Sequence, residues 1–420
     1  MGNIRVGVFG AGRGSSVAQH FLLVGGVEIV AVCDRNKERV EKMARRRLGN
    51  DFVLYEDFDS FIEHPMDVCI IANNFYQHAK YVIKCFEKNI HVFCECLSNG
   101  TMKEAVELVR AYEKSKSIFM LAENAAYYLP NLEMKKIIES GKIGKVLYAE
   151  GEYNHPTNPW DTAITKRLKF YPKHWRHYIP STYYITHSIG PVMFATGATP
   201  KKVMAFAMFN PFPDDIPTAS HVADWGASIS TLNDDGSVFR VVGCSKFGGH
   251  HNSYRYCGPK GQVETVRGMK NKIMLRYNEW DKPEGEEAER LYEPAWNDKD
   301  EELIKQSMHD GADYVIDRFF LNCVREGKEI PHPFDLHSAI AMASVAILAH
   351  RSVLSGGKTF DIPDFTKEED RKLYENDDLS PFFGEDGSEP TIPCCSHTDY
   401  EPSENNMKLY LEELAKDVEI

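Results

Sequence analysis

Short apolar, β-branched runs alternate with stretches of helical periodicity over the first 122 residues. The predicted strands lie at residues 4–9, 27–33, 68–72, 91–94 and 118–121. A repeated strand, helix, strand order is typical of a parallel sheet with right-handed crossovers. Residues 1–122 therefore predict a doubly wound parallel α/β domain.

The pattern changes after residue 122. A helical segment from residue 131 ends at Gly141, and longer strands are predicted at residues 145–153, 203–209, 225–231, 238–247 and 272–277. Few helical signals separate these strands, which favours a mostly antiparallel sheet. Helices are predicted at residues 301–326 and 336–355. Residues 123–365 thus predict an α+β domain with a large, mostly antiparallel open sheet, and residues 366–420 predict an acidic C-terminal extension that ends in a helix at 405–417.

Composition narrows the function classes. The chain of 420 residues is 43% hydrophobic and 26% charged, which excludes a disordered protein. Its net charge is −13, and the run Arg45-Arg46-Arg47 fits a solvated helix face, so no nucleic acid partner is expected. No apolar run reaches the roughly 18 residues of a membrane helix, and no membrane partner is expected. With ten scattered cysteines and a strand starting at Ile4, we expect a cytoplasmic protein without a disulfide framework.

A glycine-rich turn follows the first predicted strand. Tight glycine geometry there lets the backbone approach a pyrophosphate at the start of the next helix. Asp34 ends the second strand, where its carboxylate can accept the ribose hydroxyls and repel a 2′-phosphate, although Arg35 stands beside it. The pattern predicts NAD as cofactor, bound in part by Gly10, Gly12, Arg13, Gly14, Ser15, Asp34 and Arg35.

Polar segments also end two later strands of this sheet, at residues 72–78 and 94–97. Together with the Gly356-Gly357 turn before Pro363-Asp364-Phe365, they resemble the A-T-x-N-x-x-H, E-K-P and P-D-F segments of the Gfo/Idh/MocA family of sugar-active oxidoreductases. The resemblance covers about residues 4–365 and implies a Rossmann domain. It also implies that the cofactor site includes Asn73, Asn74, His78, Glu95 and Asn124.

One departure from the family pattern bears on the chemistry. The lysine of E-K-P, the usual proton-transfer group of the family's dehydrogenases, is Cys96 here. The NAD-dependent glycosidase branch, similar to α-N-acetylgalactosaminidase, also lacks that lysine. Its E-N-x-x-Y segment is matched at Glu123 to Tyr127, and its Y-P-T-H-x-x-G-P segment at Tyr184 to Pro191.

The resemblance implies a redox-neutral cycle: oxidation of the sugar at C3, loss of the C2 proton, departure of the aglycone, hydration and re-reduction. A phenol and an imidazole can move protons near neutral pH when neighbours shift their pKa values. We assign Tyr127 as the base at C2, with Tyr184 and His187 at the C3 hydroxyl and the substrate. A buried core tyrosine and a structural histidine remain the alternative interpretations of Tyr127 and His187.

Polar and aromatic residues before the Tyr-His segment are expected to line the sugar pocket, with His155, Trp175 and Arg176 binding substrate. The loop at 158–173 is expected to shape that pocket. A metal site at His174, His177 and His187 was considered, but no familiar spacing completes it, so no metal is predicted. His250 and His251 either reach the site or are simply exposed.

Three functions remain open at this stage. The first is an NAD-dependent glycosidase acting on a small glycoside. The second is a sugar or glycoside 3-dehydrogenase that stops at the 3-keto product, and the third is a binding or regulatory protein without turnover. An open antiparallel sheet usually needs covering, and the family covers it by dimerising, so we expect a homo-oligomer, a dimer or tetramer.

Overall fold

The computed structural model describes residues 2–156, 158 and 171–416. Within this part of the chain, the N-terminal domain holds a six-stranded parallel sheet with the strand order β3-β2-β1-β4-β5-β6. Its strands are β1 Ile4–Phe9, β2 Val27–Cys33, β3 Val53–Tyr55, β4 Val68–Ile71, β5 His91–Cys94 and β6 Phe119–Leu121. The predicted doubly wound sheet is confirmed, with β3 as an added edge strand. The order reverses between β1 and β4, so ligands bind in the crevice at the carboxyl ends of these strands.

Helices pack against the parallel sheet, whose central strands are largely apolar and buried. They are α1 Arg13–Val24, α2 Lys37–Arg39, α3 Arg46–Leu48, α4 Phe58–Phe61, α5 His78–Glu87 and α6 Met102–Tyr112. A π-helical turn, Val40–Arg45, joins α2 to α3. All four residues of β4 are buried, as expected for a strand covered on both faces. The basic run at 45–47 lies in this helical segment.

The second domain holds a nine-stranded sheet in the described part of the chain. Its order is β14-β13-β12-β11-β7-β10-β9-β8-β15, and every neighbouring pair is antiparallel except β7 with β10. The strands are β7 Tyr148–Asn154, β8 Pro200–Phe209, β9 Asp224–Asn233, β10 Val238–Ser245, β11 His251–Gly258, β12 Gly261–Thr265, β13 Ile273–Tyr277, β14 Glu289–Tyr292 and β15 Phe360–Asp361. The predicted mostly antiparallel sheet is confirmed, and β11, β12, β14 and β15 are additional strands that the sequence pattern does not predict.

The described part of the second domain contains five α-helices, of which the first, second and fifth contact this sheet and the fourth packs on α1 of the first domain. They are α7 Leu129–Glu139, α8 Thr186–Thr196, α9 Glu301–Gln306, α10 Ala312–Glu326 and α11 Leu336–Leu354. The predicted helix at 301–326 is two helices, because His309, Asp310 and Gly311 take positive φ angles between them. Helix α11 is long and apolar enough to cross a membrane by composition alone, but it packs on β8 and is mostly buried in the fold.

The C-terminal extension packs against both domains. It carries α12 Glu368–Tyr374 and α13 Glu404–Ala415. Arg371 binds the Glu113 carboxylate of the first domain, and the buried Phe382 ring lies 5.3 Å from Phe75. Cys395 is buried as well, so the segment around it packs against the fold. The extension is therefore a structural part of the molecule.

One ion pair joins the C-terminal extension to α11, and its removal should lower the free energy of unfolding. Arg351 and Asp377 form two hydrogen bonds of 2.6 Å with little solvent exposure. Asp377→Asn leaves the guanidinium without its charged partner, so we expect a loss of about 1 to 3 kcal/mol in the free energy of unfolding, measured by urea titration. The control Asp361→Asn breaks an exposed pair with Lys202, where the loss should stay below about 1 kcal/mol. Equal losses in the two variants would contradict this account.

Candidate active site

The turn after β1 is shaped to accept a phosphate group. Gly10 has a φ of 98°, and a side chain there would collide with the Ala72 carbonyl at the end of β4. The Ala11 amide donates to Asp34 Oδ2 at 2.9 Å, and the Asn36 amide donates to Oδ1 at 2.8 Å. These bonds hold the carboxylate of Asp34 at the carboxyl end of β2, where a ribose would bind.

Four other predicted cofactor residues lie in or beside this turn. Gly14 starts α1 in close contact with β1, since an added Cβ would lie 2.8 Å from Val8 Cγ1. The buried Ser15 hydroxyl donates to the Ala11 carbonyl at 2.5 Å, which stabilises the turn from within. Gly12 has open space around its Cα, and Arg35 is exposed beside Asp34.

Arg13 joins the two domains at the edge of the cleft. Its Nε donates to Glu95 Oε1 at 2.8 Å, and its Nη1 donates to Asp313 Oδ2 on α10 at 2.9 Å. Asn124 donates to the same carboxylate at 2.7 Å. Burial of Asp313 opposes ionisation, but hydrogen bonds and the charges of Arg13 and His309 hold the pKa of Asp313 well below its usual value. The carboxylate therefore remains charged and keeps Arg13 in place.

Asn73, Asn74 and His78 follow β4. Asn74 Oδ1 accepts a hydrogen bond of 3.0 Å from Trp175 Nε1, which brings the predicted substrate loop to the cofactor edge. His78 is 1% exposed, and its ring contacts the carbonyls of Leu97 and Asn73. This is a correction to the predicted cofactor contact: His78 lies beneath the cleft and positions the two strand ends.

A buried ion pair forms the centre of the site. His187 Nδ1, on α8, lies 2.7 and 3.0 Å from the two oxygens of Glu123, which is 0% exposed. Burial opposes both charges. The attraction between them nevertheless keeps the pKa of Glu123 below, and that of His187 above, their usual values. Nδ1 therefore carries a proton toward Glu123, and Nε2 is the ring nitrogen left to meet a substrate.

Cys96 takes the place of the family lysine and lies against this pair. Its thiol donates to Glu123 Oε2 at 3.4 Å, and burial raises the pKa of Cys96 well above its usual value. A neutral thiol in this position supports the carboxylate and exchanges no proton near pH 7.

Two tyrosines complete the cluster around His187. The Tyr184 ring lies 5.4 Å from the imidazole, and the Tyr153 ring, at the end of β7, lies 4.9 Å from it. The two phenol rings stack at 6.0 Å. Burial raises the pKa of both tyrosines, so both are neutral donors at pH 7. Tyr184 and His187 are thus brought together as predicted, and Tyr153 joins them.

Tyr127 lies outside the cluster around His187. Its ring packs among Phe194, Phe319 and Phe334 at 5.4 to 6.1 Å, it is 5% exposed, and burial raises its pKa. The structure does not support the base role predicted for Tyr127, because a phenol in an apolar core has no route to a sugar. The neighbouring Tyr128 faces the Glu123 side and Asn252 instead.

The predicted substrate residues surround the cluster. The His155 ring lies 5.7 Å from Tyr153, and Arg176 lies over the Trp175 ring at 4.4 Å. Of the loop expected to shape the pocket, residues 159–170 lie outside the described residues. His177 is buried against Tyr410, and burial lowers the pKa of His177 to about 3. In the described ranges, no three His, Cys, Asp or Glu side chains are grouped to hold a metal ion.

The sheet edge fits a dinucleotide on structural grounds. The turn at Gly10 leaves no room for a side chain, as a close approach of phosphate requires. Asn73 Oδ1 is buried and has no hydrogen-bond partner among the described residues, so a ligand donor would satisfy it. Gly10, Gly12, Asp34, Asn73 and Glu95 line the edge that would hold NAD.

Sequence reasoning missed the partner of His187 and one tyrosine. Glu123 was quoted within a motif but received no role, although a carboxylate directly after a parallel strand is a site position. Tyr153 stood at the carboxyl end of a correctly predicted strand, next to the predicted His155. The register that turns its ring toward α8 depends on contacts between distant segments.

Two family models match the chain. Residues 4–123 match the Gfo/Idh/MocA oxidoreductase family, NAD-binding Rossmann fold, which confirms the predicted NAD-binding domain. Residues 252–372 match the C-terminal domain of glycosyl hydrolase 109. A glycosyl hydrolase family 109 protein from Shewanella sp. (strain W3-18-1) is 23% identical over 401 residues, covering 87% of this chain and 85% of that protein.

Solved structures share the fold at low sequence identity. Levoglucosan dehydrogenase in complex with NADH and levoglucosan has a TM-score of 0.70 and 18% identity, covering 86% of this chain and 100% of that chain. The myo-inositol 2-dehydrogenase from Lactobacillus plantarum has a TM-score of 0.64 and 20% identity, covering 86% of this chain and 100% of that chain. These similarities confirm the predicted combination of a Rossmann domain with a large open sheet.

The close approach of α8 to Glu123 supplies a first test of the site. A Cβ added at Gly190 would lie 2.6 Å from Glu123 Cγ, so Gly190→Ala must displace the carboxylate. We expect loss of the His187 contact and a fall in turnover of about 10²-fold or more, measured as kcat/KM. Gly236→Ala, at a turn with free space, is the control for strain alone. Full activity in Gly190→Ala would show that the contact is dispensable.

The ion pair also predicts a titration. Glu123 raises the pKa of His187, so the imidazole should keep its proton to a higher pH than an ordinary histidine. In Glu123→Gln the attraction is lost while burial remains, and the midpoint should fall below about 6.5. Ring-proton NMR across pH 4 to 9 measures both midpoints. An unchanged midpoint would contradict the proposed pairing.

Proposed function

Because the chain is an NAD-dependent enzyme of the Gfo/Idh/MocA type, either a glycosidase or a sugar oxidoreductase, we propose that it is a glycoside hydrolase with a redox-neutral cycle. The observation that carries this proposal is the cluster of Glu123, His187, Tyr184 and Tyr153, with a neutral cysteine in the place of the dehydrogenase lysine. The substrate is a small glycoside, in keeping with the sugar-binding relatives.

In the proposed first step His187 receives the proton of the C3 hydroxyl. Glu123 holds a proton on Nδ1, so above the raised pKa of His187 the neutral ring offers Nε2 as acceptor, and the carboxylate then stabilises the imidazolium that forms. NAD, which Gly10, Asp34 and Asn73 would hold, would supply the hydride acceptor for C3. Tyr184 donates a hydrogen bond that holds the C3 oxygen beside the ring.

The first step prepares the second. The C3 carbonyl makes the C2 proton acidic, and the imidazolium formed on His187 lies 4.9 Å from the Tyr153 ring. A positive charge at this distance favours the phenolate form of Tyr153, which burial alone disfavours. The partly buried Tyr153 phenol then releases its proton to solvent, and the phenolate is our base at C2, where it takes the C2 proton. Departure of the aglycone, addition of water and return of the hydride to C3 complete the cycle.

The arrangement of residues serves a 3-dehydrogenase equally well in the first step. The two functions diverge only at C2, where the glycosidase needs a base and the dehydrogenase does not. Tyr153 is the residue that favours the glycosidase, since its ring lies within the cluster and no other step requires it. The product of the reaction therefore distinguishes the two functions.

The test uses the purified chain with NAD and a panel of aryl glycosides in D₂O. Free sugar carrying deuterium at C2, without accumulated NADH, is the expected result by NMR and absorbance. Tyr153→Phe should lose about 10² to 10⁴-fold in release of the aglycone and should stop C2 exchange, while C3 oxidation continues. Tyr127→Phe is the matched control and should keep turnover. Stoichiometric NADH with an intact 3-keto glycoside would replace the proposal with the dehydrogenase.

A further inference from the structure

A second cavity of about 500 Å³ adjoins the catalytic cluster. Its size lies within the usual range for ligand sites, roughly 300 to 1,000 Å³. It is lined by the start of α7, the loop before β11, the turn between β12 and β13, and Asp310. All of its lining residues belong to the second domain, so it is separate from the edge of the parallel sheet where the cofactor would bind.

Direct contacts connect this cavity to the proton-transfer groups. Tyr254, in its wall, donates to the His187 carbonyl at 2.6 Å. His250, also in the wall, lies 5.0 Å from the His155 ring, which in turn contacts Tyr153. A sugar held at Tyr153 and His187 would therefore place its substituents at the mouth of the cavity.

The wall contains polar groups that need a partner. Asn131 is 2% exposed, and its Oδ1 has no hydrogen-bond partner among the described residues. Asn252 Oδ1 is likewise buried without a described partner. Because a buried amide oxygen without a donor is costly, these two atoms indicate a ligand that offers hydroxyl or amide donors.

The rim carries an excess of positive charge in a chain whose net charge is −13. Arg267, Lys270 and Lys272 lie on the turn between β12 and β13, and Asp310 is the only acidic residue among those lining the cavity. Arg267 pairs with Glu152 at 2.7 Å, and Lys270 pairs with Asp310 at 2.8 Å. Lys272 has no ion-pair partner in the described ranges, so its charge is available to a ligand.

We propose that this cavity binds the leaving group of the substrate and that this group carries an anion, a carboxylate, sulfate or phosphate, beside Lys272. The inference rests on the proposed glycosidase function, because it treats the ligand as the part attached to the reacting sugar. Lys272 supplies the charge contact, and Asn131 and Asn252 accept hydrogen bonds from the remaining hydroxyl or amide groups. Recognition of the anion is then a determinant of substrate choice.

The experiment compares two glycosides of the same sugar, with 4-nitrophenol or 5-hydroxy-2-nitrobenzoate as the leaving group. The carboxylate should raise kcat/KM, and the advantage should shrink as salt rises. Lys272→Gln should lower the ratio of the two kcat/KM values by about threefold to tenfold, because only the carboxylate substrate loses a charge contact. Lys116→Gln, an exposed lysine beyond the parallel sheet, is the control and should keep the ratio. An equal ratio in wild type and Lys272→Gln would overturn the proposal.

Binding without turnover separates this inference from the proposed function. Calorimetric titration of the NAD-loaded protein with 5-hydroxy-2-nitrobenzoate and with 4-nitrophenol measures the affinity of the cavity for each leaving group in the absence of a reaction. Preference for the carboxylate that is lost in Lys272→Gln would support the anion site, even if no glycoside were hydrolysed and the catalytic proposal failed. Equal binding of the two compounds would reject the anion site whatever the enzyme catalyses. Unchanged thermal unfolding of the variant would show that its fold is intact.

Discussion

The pairing of Glu123 with His187 is the interaction on which the rest of the site depends. A carboxylate with no solvent exposure is costly unless a charge and hydrogen bonds compensate it. The imidazole supplies the charge, while the Ala125 amide and the Cys96 thiol donate the hydrogen bonds. Gly190 lets α8 approach closely enough for the pair to form. Cys96 belongs to the first domain, whereas His187, Ala125 and Gly190 belong to the second. The geometry of the ion pair therefore depends on how the two domains pack against each other.

The pairing of Glu123 with His187 explains why a neutral side chain fits at position 96. A lysine there would place a second cation beside His187 and compete for Glu123. With a neutral thiol, the carboxylate serves the imidazole, and proton transfer shifts to residues of the open-sheet domain. The first domain then positions the cofactor edge, through Asp34 and the bonds of Arg13 to Glu95 and Asp313. The first domain thus holds the cofactor edge, and the second domain holds most of the proposed catalytic side chains.

Local patterns predicted the fold more completely than the site. The parallel strands are short apolar runs that end in polar turns, and the glycines of the first turn are readable from their spacing, because both are properties of contiguous sequence. Tyr127 and Tyr128 differ by one position, yet one ring enters an aromatic core and the other faces Asn252. That choice is made by packing with Phe194 and Phe334, which lie far along the chain. The placement of Tyr153 and of the cavity wall at 265–272 also depends on packing between distant segments, so the sequence pattern does not predict it.

The C-terminal extension links the two domains through aromatic contacts. Phe382 packs between Phe75 of the first domain and Tyr183 of the second, and Tyr410 reaches His177 beside the substrate loop. Residues 366–416 follow both domains along the chain, so their aromatic contacts can form only after the segments they join have been synthesised. The joined cleft therefore depends on packing by a segment that belongs to neither domain.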